Sequence, residues 1–508
     1  MSAEHSRIQE SLEEPSHYGL RQWSGWVVGP GLLLVTLLFD PPAGLSVEGW
    51  RTAGAAALMA TWWISESVPI PVTALLPLAL FPLLGLGKIK EVAAPYANPL
   101  VFLFLGGFLI ALAMQRWNLH RRVAVGLIGA LGTRPNRIVA GFLLSGALLS
   151  MWVSNTATAL MMLPIATSVV ALASESSGRS GPGKHFGPAL MLAVAYGATT
   201  GGMATLIGTP PNALLAGYLN RVYGYEIGFG QWMMVGLPVT LLALPVVYLT
   251  LTRIVFKLGR QPLQGMEQLL MEEKGRLGRF SKGERWVATV FAATALCWIF
   301  RPLLADFVPM ISDTTIAIAG AVILFMIPVN LGRGQFVMDW GSTKGLPWDV
   351  LLLFGGGLSL AGMIQAHGLS SYLGTLCEGL GGWPVFLVLG VICFGILMLT
   401  ELTSNTATAA TFLPIVGAVA VSLGQNPLLF LIPTALAANC SYMMPVGTPP
   451  NAIVFGSGVL QLPQMAKAGL LLNVLLVPVV LLLVWLLGSW VFDIELGELP
   501  AWAGKSVE

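Results

Sequence analysis

Two stretches of sequence decide the fold: residues 150–165 read SMWVSNTATALMMLPI, and residues 400–415 read TELTSNTATAATFLPI. Nine of the sixteen positions are identical at a fixed separation of 250 residues. Each stretch places a polar Ser-Asn-Thr triplet, called SNT below, within an apolar run. Self-similarity at a fixed spacing is the signature of an internal structural repeat. The chain is therefore predicted to contain two copies of one unit, each with polar groups inside apolar sequence.

Two further pairs of segments extend this repeat in the same order along the chain. Gly-Thr-Pro-Pro-Asn-Ala occurs at 208–213 and again at 447–452. A weaker pair, FLGGFLIALAM at 104–114 and LFGGGLSLAGM at 353–363, precedes both SNT stretches. Three matches in one order predict that the repeat covers most of both halves of the chain.

The composition indicates a membrane protein. Of 508 residues, 55% are hydrophobic and 10% are charged, whereas a soluble globular chain has about 25% charged residues. So few charges exclude a soluble enzyme, a nucleic-acid-binding protein and a disordered chain. The four cysteines lie in apolar surroundings without metal-ligand spacing, so they are interpreted as packing residues and no cofactor is expected. The predicted class is an all-α polytopic protein of the cell membrane, surrounded by lipid.

The apolar stretches, among them 69–86, predict about eleven transmembrane spans, because a helix needs about 20 apolar residues to cross a bilayer. Two stretches are nearly twice that length and are interrupted by the SNT triplets, so each is interpreted as a re-entrant hairpin. The predicted organisation is a cytoplasmic N-terminal tail, 1–22; a first span outside the repeat, 23–49; a first inverted repeat, 50–256, with hairpin 136–173 and broken span 188–222; a cytoplasmic linker with a short amphipathic helix, 257–283; a second inverted repeat, 284–492, with hairpin 383–423 and broken span 427–460; and an external C-terminal tail, 493–508.

Lys and Arg predict the orientation. With a cytoplasmic N-terminus, 20 of the 26 fall in inside segments and 6 in outside segments, as the positive-inside rule favours. Each half then has five crossings and one hairpin, and an odd number of crossings makes the second copy enter from the opposite side. Inverted repeats with a binding site at their interface are a recurring design of secondary transporters.

The residue types of the repeated motifs suit ions. Where an SNT triplet reverses the chain, the first helix exposes free carbonyl groups that coordinate a cation, and the second exposes N–H groups and a positive dipole end that favour an anion. In each GTPPN segment two prolines break the helix, and the glycine allows a tight backbone with a bare carbonyl. Such backbone survives in a membrane only when it is buried in protein or lines a wet cavity.

The paired SNT motifs resemble the divalent anion/sodium symporter family, the INDY-like carriers of di- and tricarboxylates and sulfate, and the resemblance extends from the second span to the eleventh. It implies a homodimer whose transport domain moves as an elevator. It also implies two Na⁺ sites, one at Ser150, Ser154, Asn155 and the carbonyl of Gly208, the other at Thr400, Ser404, Asn405 and the carbonyl of Gly447. Substrate carboxylates would contact Asn155, Thr156, Asn405 and Thr406, with Thr209, Pro210, Thr448 and Pro449 beside them.

The predicted function is sodium-coupled uptake of a dianion, with a C4-dicarboxylate such as succinate, malate or fumarate as the expected substrate. No Lys or Arg lies at the SNT triplets or the GTPPN segments, so bound cations and helix N-termini would have to balance the anion. A sodium-independent exchanger, a proton-coupled carrier and a sulfate carrier of the same fold remain alternatives. Glu401, three residues before an SNT, is either a proton site or a structural group. An intramembrane hydrolase would need paired Asp residues, HExxH, or a Ser with a His, and none is present at membrane depth.

Overall fold

The computed structural model describes residues 19–175, 185–259 and 261–504, which are almost entirely helical. Six helices in these ranges are long and apolar enough to cross a membrane individually, and four shorter helices are also apolar. The chain is an all-α polytopic membrane protein, as its composition predicts. One small antiparallel ribbon, Pro328–Asn330 with Gln335–Phe336, interrupts the helices. Parts of the predicted tails and of the polar loop 174–187 lie outside the described residues.

The helices of the first half are Leu20–Leu38, Val47–Ser65, Ile70–Thr73, Leu76–Leu83, Ile89–Ala93, Pro99–Arg116, Leu119–Leu131, Pro135–Ser150, Asn155–Glu175, Phe186–Gly202, Pro210–Tyr223 and Phe229–Leu249, the last continued by a π turn, Thr250–Ile254. The linker contains Met266–Leu277. The helices of the second half are Lys282–Ile299, Arg301–Ala305, Asp313–Met326, Trp348–Ala366, Leu369–Leu376, Val385–Thr400, Asn405–Ser422, Pro427–Asn439, Pro449–Gly456 and Leu462–Val491. Single 3₁₀ turns lie at Ala94–Ala97, Leu331–Arg333, Trp340–Gly345 and Glu378–Gly382.

The SNT stretches each join two helices through a short turn. The first helix pair is Pro135–Ser150 with Asn155–Glu175, and the second helix pair is Val385–Thr400 with Asn405–Ser422. Both leading helices are 16 residues long and both end four residues before the serine of the SNT. The same local sequence therefore gives the same local structure in both halves.

The GTPPN segments each begin a helix after an irregular stretch. We call residues 203–209 the first break and residues 440–448 the second break. The helices after them start at Pro210 and Pro449, because proline lacks the N–H that the first turn leaves unbonded and its fixed φ suits a helix start. The helices before them, Phe186–Gly202 and Pro427–Asn439, are almost wholly buried. The first break is buried along its whole length, whereas the second is buried at both ends but exposes Val446 at 62%.

The segment predicted as a single span at 69–86 differs in the structure. It forms two short helices, Ile70–Thr73 and Leu76–Leu83, separated at Ala74 and Leu75. Pro77 and Pro82 lack the N–H donors that a continuous helix needs. Ala74 is also in close contact with the helix Trp348–Ala366, because a Cβ on Gly356 would lie 2.3 Å from its carbonyl oxygen.

The linker is anchored rather than freely solvated. Its helix Met266–Leu277 buries Glu273, whose carboxylate accepts hydrogen bonds from Arg121 at 2.5 Å and from Arg276 at 2.8 Å. Arg122 pairs with the buried Glu284 at 2.7 Å. Two arginines of the helix Leu119–Leu131 thus fix the linker against the segment that leads into the first helix pair.

Candidate functional site

At the first SNT, the side chains around the turn face one another. Ser154 Oγ accepts a hydrogen bond from the Ala157 amide at 3.3 Å, which caps the helix that follows. The amide orientation of Asn155 that satisfies its neighbours places its nitrogen 2.5 Å from Ser150 Oγ and 3.3 Å from the carbonyl oxygen of Gly208. Three of the four residues predicted for the first Na⁺ site, Ser150, Asn155 and Gly208, are therefore in contact, and Ser154 lies next to Asn155 in the turn.

The first break is tied to this turn by Thr205. Its hydroxyl donates to the carbonyl oxygen of Met151 at 2.5 Å and accepts from the Gly208 amide at 3.0 Å. Asn212 donates to the carbonyl oxygens of Thr205 at 2.8 Å and Gly202 at 3.1 Å. A Cβ on Gly208 would lie 2.5 Å from the carbonyl oxygen of Gly202, so only glycine fits there. These bonds hold the exposed carbonyls of a broken helix in fixed directions.

The second SNT and its break repeat this geometry. Thr400 Oγ1 lies 2.7 Å from Asn405 Oδ1, as Ser150 lies against Asn155. Asn451 donates to the carbonyl oxygens of Ser441 and Met444 at 3.1 and 3.0 Å. These two acceptors are the counterparts of Gly202 and Thr205 at the 239-residue offset. The asparagine of GTPPN therefore has the same position in both copies, bonding the carbonyls of its own break.

Glu401 distinguishes the second break from the first. Its carboxylate is 3% exposed and accepts hydrogen bonds from the amides of Tyr442, Met443 and Met444 at 2.8–3.0 Å. The Ser441 hydroxyl, at 3.2 Å, and the Asn473 side chain, at 2.7 Å, complete its surroundings. The corresponding residue of the first copy is Met151, which bonds its break only through its backbone. This environment suits a structural anion that holds the second break in shape.

Direct hydrogen bonds join each break, or the helix beside it, to the other half of the chain. Asn439 accepts from the Thr209 hydroxyl at 2.8 Å and donates to Asn212 Oδ1 at 2.9 Å. Thr200, in the helix before the first break, has its Oγ1 3.0 Å from the hydroxyl of Tyr442 in the second break. Residues far apart in sequence thus share one buried polar network, which connects the two predicted ion sites physically.

The residues predicted to contact substrate differ in their exposure. Asn155, Thr156, Asn405 and Thr406 are half-buried at the turns. Thr209 and Thr448 are 2% and 4% exposed, and each hydroxyl is engaged: Thr209 bonds Asn439, and Thr448 accepts from the Asn451 amide at 3.3 Å. Pro210 is half-buried and Pro449 is exposed. The substrate contacts of all these residues remain predictions.

Four helix N-termini lie at the turns and breaks: Asn155–Glu175, Pro210–Tyr223, Asn405–Ser422 and Pro449–Gly456. A helix N-terminus carries a partial positive charge and free N–H donors. Because no Lys or Arg lies at these motifs, the helix ends are the source of positive potential that the protein itself supplies there. The arrangement favours an anion together with cations bound at the bare carbonyls.

Sequence reasoning gave no role to Asn212, Asn451, Asn439 and Asn473, which organise the breaks. A signal was available for the first two, because an asparagine follows both proline pairs. No such signal exists for Asn439 or Asn473, since neither lies in a repeated motif and their partners are 227 and 72 residues distant in sequence.

Comparisons with known proteins show which family this chain belongs to. A family model described as the sodium:sulfate symporter transmembrane region matches residues 21–494. A protein of Staphylococcus saprophyticus named sodium-dependent dicarboxylate transporter SdcS is 42% identical over 493 residues, which cover 96% of this chain and 95% of that protein. The protein of the same name from Staphylococcus aureus strain USA300 is 41% identical over 484 residues, covering 94% and 93%.

Among solved structures, Neisseria gonorrhoeae MtrF has a similar fold. The TM-score is 0.52, the sequence identity is 12%, and the match covers 94% of this chain and 96% of that one. At this identity the similarity concerns the fold alone.

Proposed function

This chain belongs to the sodium:sulfate symporter family, and from that premise we propose that it couples the entry of Na⁺ to the uptake of a C4-dicarboxylate such as succinate, malate or fumarate. It is an integral protein of the cell membrane. The observation that carries the proposal is the 41–42% identity, over nearly the whole chain, to proteins named sodium-dependent dicarboxylate transporters. Na⁺ is the coupling ion in this proposal, and no other cofactor takes part.

The proposed Na⁺ sites lie at the two turns. The first consists of Ser150, Ser154, Asn155 and the Gly208 carbonyl, and the contacts among three of these residues support it. The second consists of Thr400, Ser404, Asn405 and the Gly447 carbonyl. It is supported by the Thr400–Asn405 contact and by the position of Gly447, whose Cβ would lie 3.1 Å from the carbonyl oxygen of Glu401. Hydroxyl, amide and carbonyl oxygens are ligands suited to a hard cation.

The proposed dianion site lies between the turns. Each turn offers one carboxylate-binding end, formed by the half-buried Asn155 and Thr156 or by Asn405 and Thr406, beside the Thr-Pro pairs at 209–210 and 448–449. Two such ends suit a molecule with a carboxylate at each terminus. Without bound Na⁺ the site offers only helix N-termini to two negative charges, so cation and anion affinities should rise together.

The proposed architecture is an inverted repeat of five spans with two re-entrant hairpins, a cytoplasmic N-terminus and about eleven spans, assembled as a homodimer that works as an elevator. The leading helix of each pair supports re-entrance, whereas the second helix, at 21 or 18 residues, is long enough to cross. A helix of 16 residues is about 24 Å long, which is short of the roughly 30 Å hydrocarbon core. The helices Leu119–Leu131 and Leu369–Leu376, each between a long helix and a helix pair, would be the connectors to the moving part.

Purified protein in liposomes tests the function. Radiolabelled succinate should accumulate when an inward Na⁺ gradient is imposed, and replacement of Na⁺ by choline should abolish accumulation. Sulfate is offered as a competitor in parallel, and a proton gradient or internal succinate replaces the Na⁺ gradient in separate arms. Accumulation driven by a proton gradient or by internal succinate, without Na⁺, would overturn sodium coupling. If labelled succinate does not accumulate but labelled sulfate does, the dicarboxylate assignment is overturned.

A further inference from the structure

A basic cavity lies where the first helix pair begins, a helix length away from the SNT turn. Its volume is about 730 Å³. Arg134 and Arg137 line one wall, and Tyr248, Thr252, Arg253 and Lys257 line the other. The sodium and dicarboxylate sites proposed above do not involve these residues.

The charge in this cavity is not balanced by protein. Among the described residues, none of the four cations forms an ion pair, and the lining contains no carboxylate. Nearby arginines in the same predicted cytoplasmic region behave differently: Arg121 pairs with Glu273 and Arg122 with Glu284. The positive-inside rule accounts for cations in such segments, but not for four of them gathered around one cavity without an acid. Mutual repulsion of these charges would be relieved by an anion.

The surface beside the cavity is apolar and faces outward. The helix Phe229–Leu249 exposes Leu241 at 57% and Leu249 at 40%, and Ile254 beyond it is 59% exposed. In a membrane protein these side chains face lipid acyl chains. A soluble anion would need only the basic cavity. A phospholipid needs the basic cavity for its headgroup and the apolar surface for its acyl chains.

The backbone at the cavity wall is also unusual. Residues Thr250–Ile254 form a π turn, which is rare and is found frequently at functional sites. Thr252 bonds back to the Tyr248 carbonyl at 2.7 Å. The turn carries Arg253 into the lining at the end of the apolar stretch Phe229–Ile254, which is where headgroups would lie if that stretch crosses the bilayer.

We propose that this cavity binds the headgroup of an anionic phospholipid, and that a lipid with two phosphates fits its four cations best. Arginine guanidinium groups bind phosphate oxygens through paired hydrogen bonds, and basic pockets at the cytoplasmic ends of transmembrane helices are suited to such headgroups. The acyl chains would lie along the apolar face near Leu249 and Ile254. The site does not depend on which ion or substrate is transported.

The test uses the full-length protein in detergent, with diphosphatidylglycerol, phosphatidylcholine and inorganic pyrophosphate as separate probes and native mass spectrometry as the readout. The cavity variant combines R134Q, R137Q, R253Q and K257Q. The matched control removes four charges from the linker region and the start of the next helix, with K274Q, R279Q, K282Q and R285Q, none of which forms an ion pair among the described residues. Thermal unfolding of all three proteins verifies that the variants fold.

Wild type and the control should retain diphosphatidylglycerol in preference to phosphatidylcholine, and the cavity variant should bind it roughly several hundredfold more weakly, at about a fivefold loss for each cation removed. Equal retention by the cavity variant and wild type would overturn the proposal. Binding of pyrophosphate that diphosphatidylglycerol does not displace would also overturn it, because the ligand would then be a soluble phosphate. If the cavity variant unfolds, the single variants R253Q and K257Q replace it, each with an expected loss of several-fold.

Discussion

Single residues determine how the second break keeps its shape, and Glu401 is the clearest case. Three backbone amides, a hydroxyl and an amide side chain all point to its buried carboxylate. In E401Q an NH₂ group would face N–H donors and leave some of them unsatisfied. We expect the free energy of unfolding to fall by at least about 2 kcal/mol, because hydrogen bonds to charged groups contribute about 1.5–3 kcal/mol each.

Thermal unfolding in detergent measures this effect, with E66Q as the matched control. Glu66 pairs with Arg21 at 2.9 Å, but both side chains are well exposed, at 46% and 39%. An exposed ion pair contributes only about 0–1 kcal/mol, so E66Q should leave stability nearly unchanged. Equal stability of E401Q and wild type would show that the carboxylate is not structural and would revive its interpretation as a proton site.

The asparagines of the two SNT triplets should affect sodium and substrate together. N155A and N405A each remove a proposed cation ligand and a proposed substrate donor. Loss of one charged hydrogen bond costs about 1.5–3 kcal/mol, so succinate affinity should fall roughly tenfold or more, and the variants should need more Na⁺. The measurement is succinate binding titrated at several Na⁺ concentrations, with the exposed N330A as control. A variant that loses succinate affinity but keeps the wild-type Na⁺ dependence would contradict the shared site.

For single residues, the sequence predicted the contacts that lie within a repeated motif, but not the contacts between residues that are distant along the chain. The contact of Ser150 with Asn155 spans five residues, and its counterpart in the second half is recognisable from the repeat. The bonds of Glu401 to residues 441–444 and to Asn473 span 40 to 72 residues. Nothing in local sequence predicts such contacts, which depend on how helices pack. The position of Glu401 could be noted from sequence, but its partners could not.

Among the helices, glycine spacing controls how closely the first break approaches the first helix pair. Gly197 and Gly201, one helical turn apart on Phe186–Gly202, face Leu143 and Ala147 on Pro135–Ser150. A Cβ on Gly201 would lie 2.2 Å from the Ala147 carbonyl oxygen, and one on Gly197 would lie 2.5 Å from that of Leu143. Small residues at this spacing let membrane helices pack backbone against backbone. The close approach brings Gly208 within reach of Asn155.

G201A should therefore force these two helices apart. We expect a loss of about 1–3 kcal/mol in the free energy of unfolding, as for other overpacked contacts, and a lower apparent Na⁺ affinity because Gly208 moves relative to Asn155. G395A is the control: Gly395 lies in the second helix pair with nothing within 4 Å of an added Cβ, so alanine should be neutral or slightly stabilising there. Unchanged Na⁺ affinity in G201A would show that the contact between the two helices does not position Gly208 for Na⁺ binding.

Helix positions followed from sequence more reliably than helix continuity. The stretch 136–173 contains the helices Pro135–Ser150 and Asn155–Glu175, and the linker contains Met266–Leu277, while the re-entrance of the hairpin stays a prediction. The span predicted at 69–86 is broken instead, although its apolar length alone favoured one helix. Hydrophobicity reports which residues avoid water, and it is the same for one long helix or for two short ones.

For the whole molecule, the SNT pair was sufficient to predict the family, and that prediction is confirmed by the match over residues 21–494. The all-α membrane class is confirmed as well. The eleven spans, the orientation, the dimer and the elevator remain predictions. Helix bounds in a single chain define neither the bilayer plane, nor a second copy of the chain, nor a second conformation, and each of these four properties depends on one of them.

The elevator motion can be tested at one contact between the two parts that should slide. Gly107 lies on Pro99–Arg116, the long helix before the first connector, and Ile207 lies in the first break. A Cβ on Gly107 would be 3.7 Å from the Ile207 Cβ, which matches the mean Cβ–Cβ separation of about 3.8 Å in disulfides. G107C with I207C, in a background lacking the four native cysteines, should form a disulfide on oxidation.

If the break travels across that helix, the cross-linked protein should lose succinate uptake, retain sodium-dependent succinate binding and recover on reduction. Succinate uptake by each single variant should be unchanged by the oxidant. Undiminished uptake by fully cross-linked protein would mean that the break and the helix move as one body, and the elevator would then need a different boundary or a different mechanism.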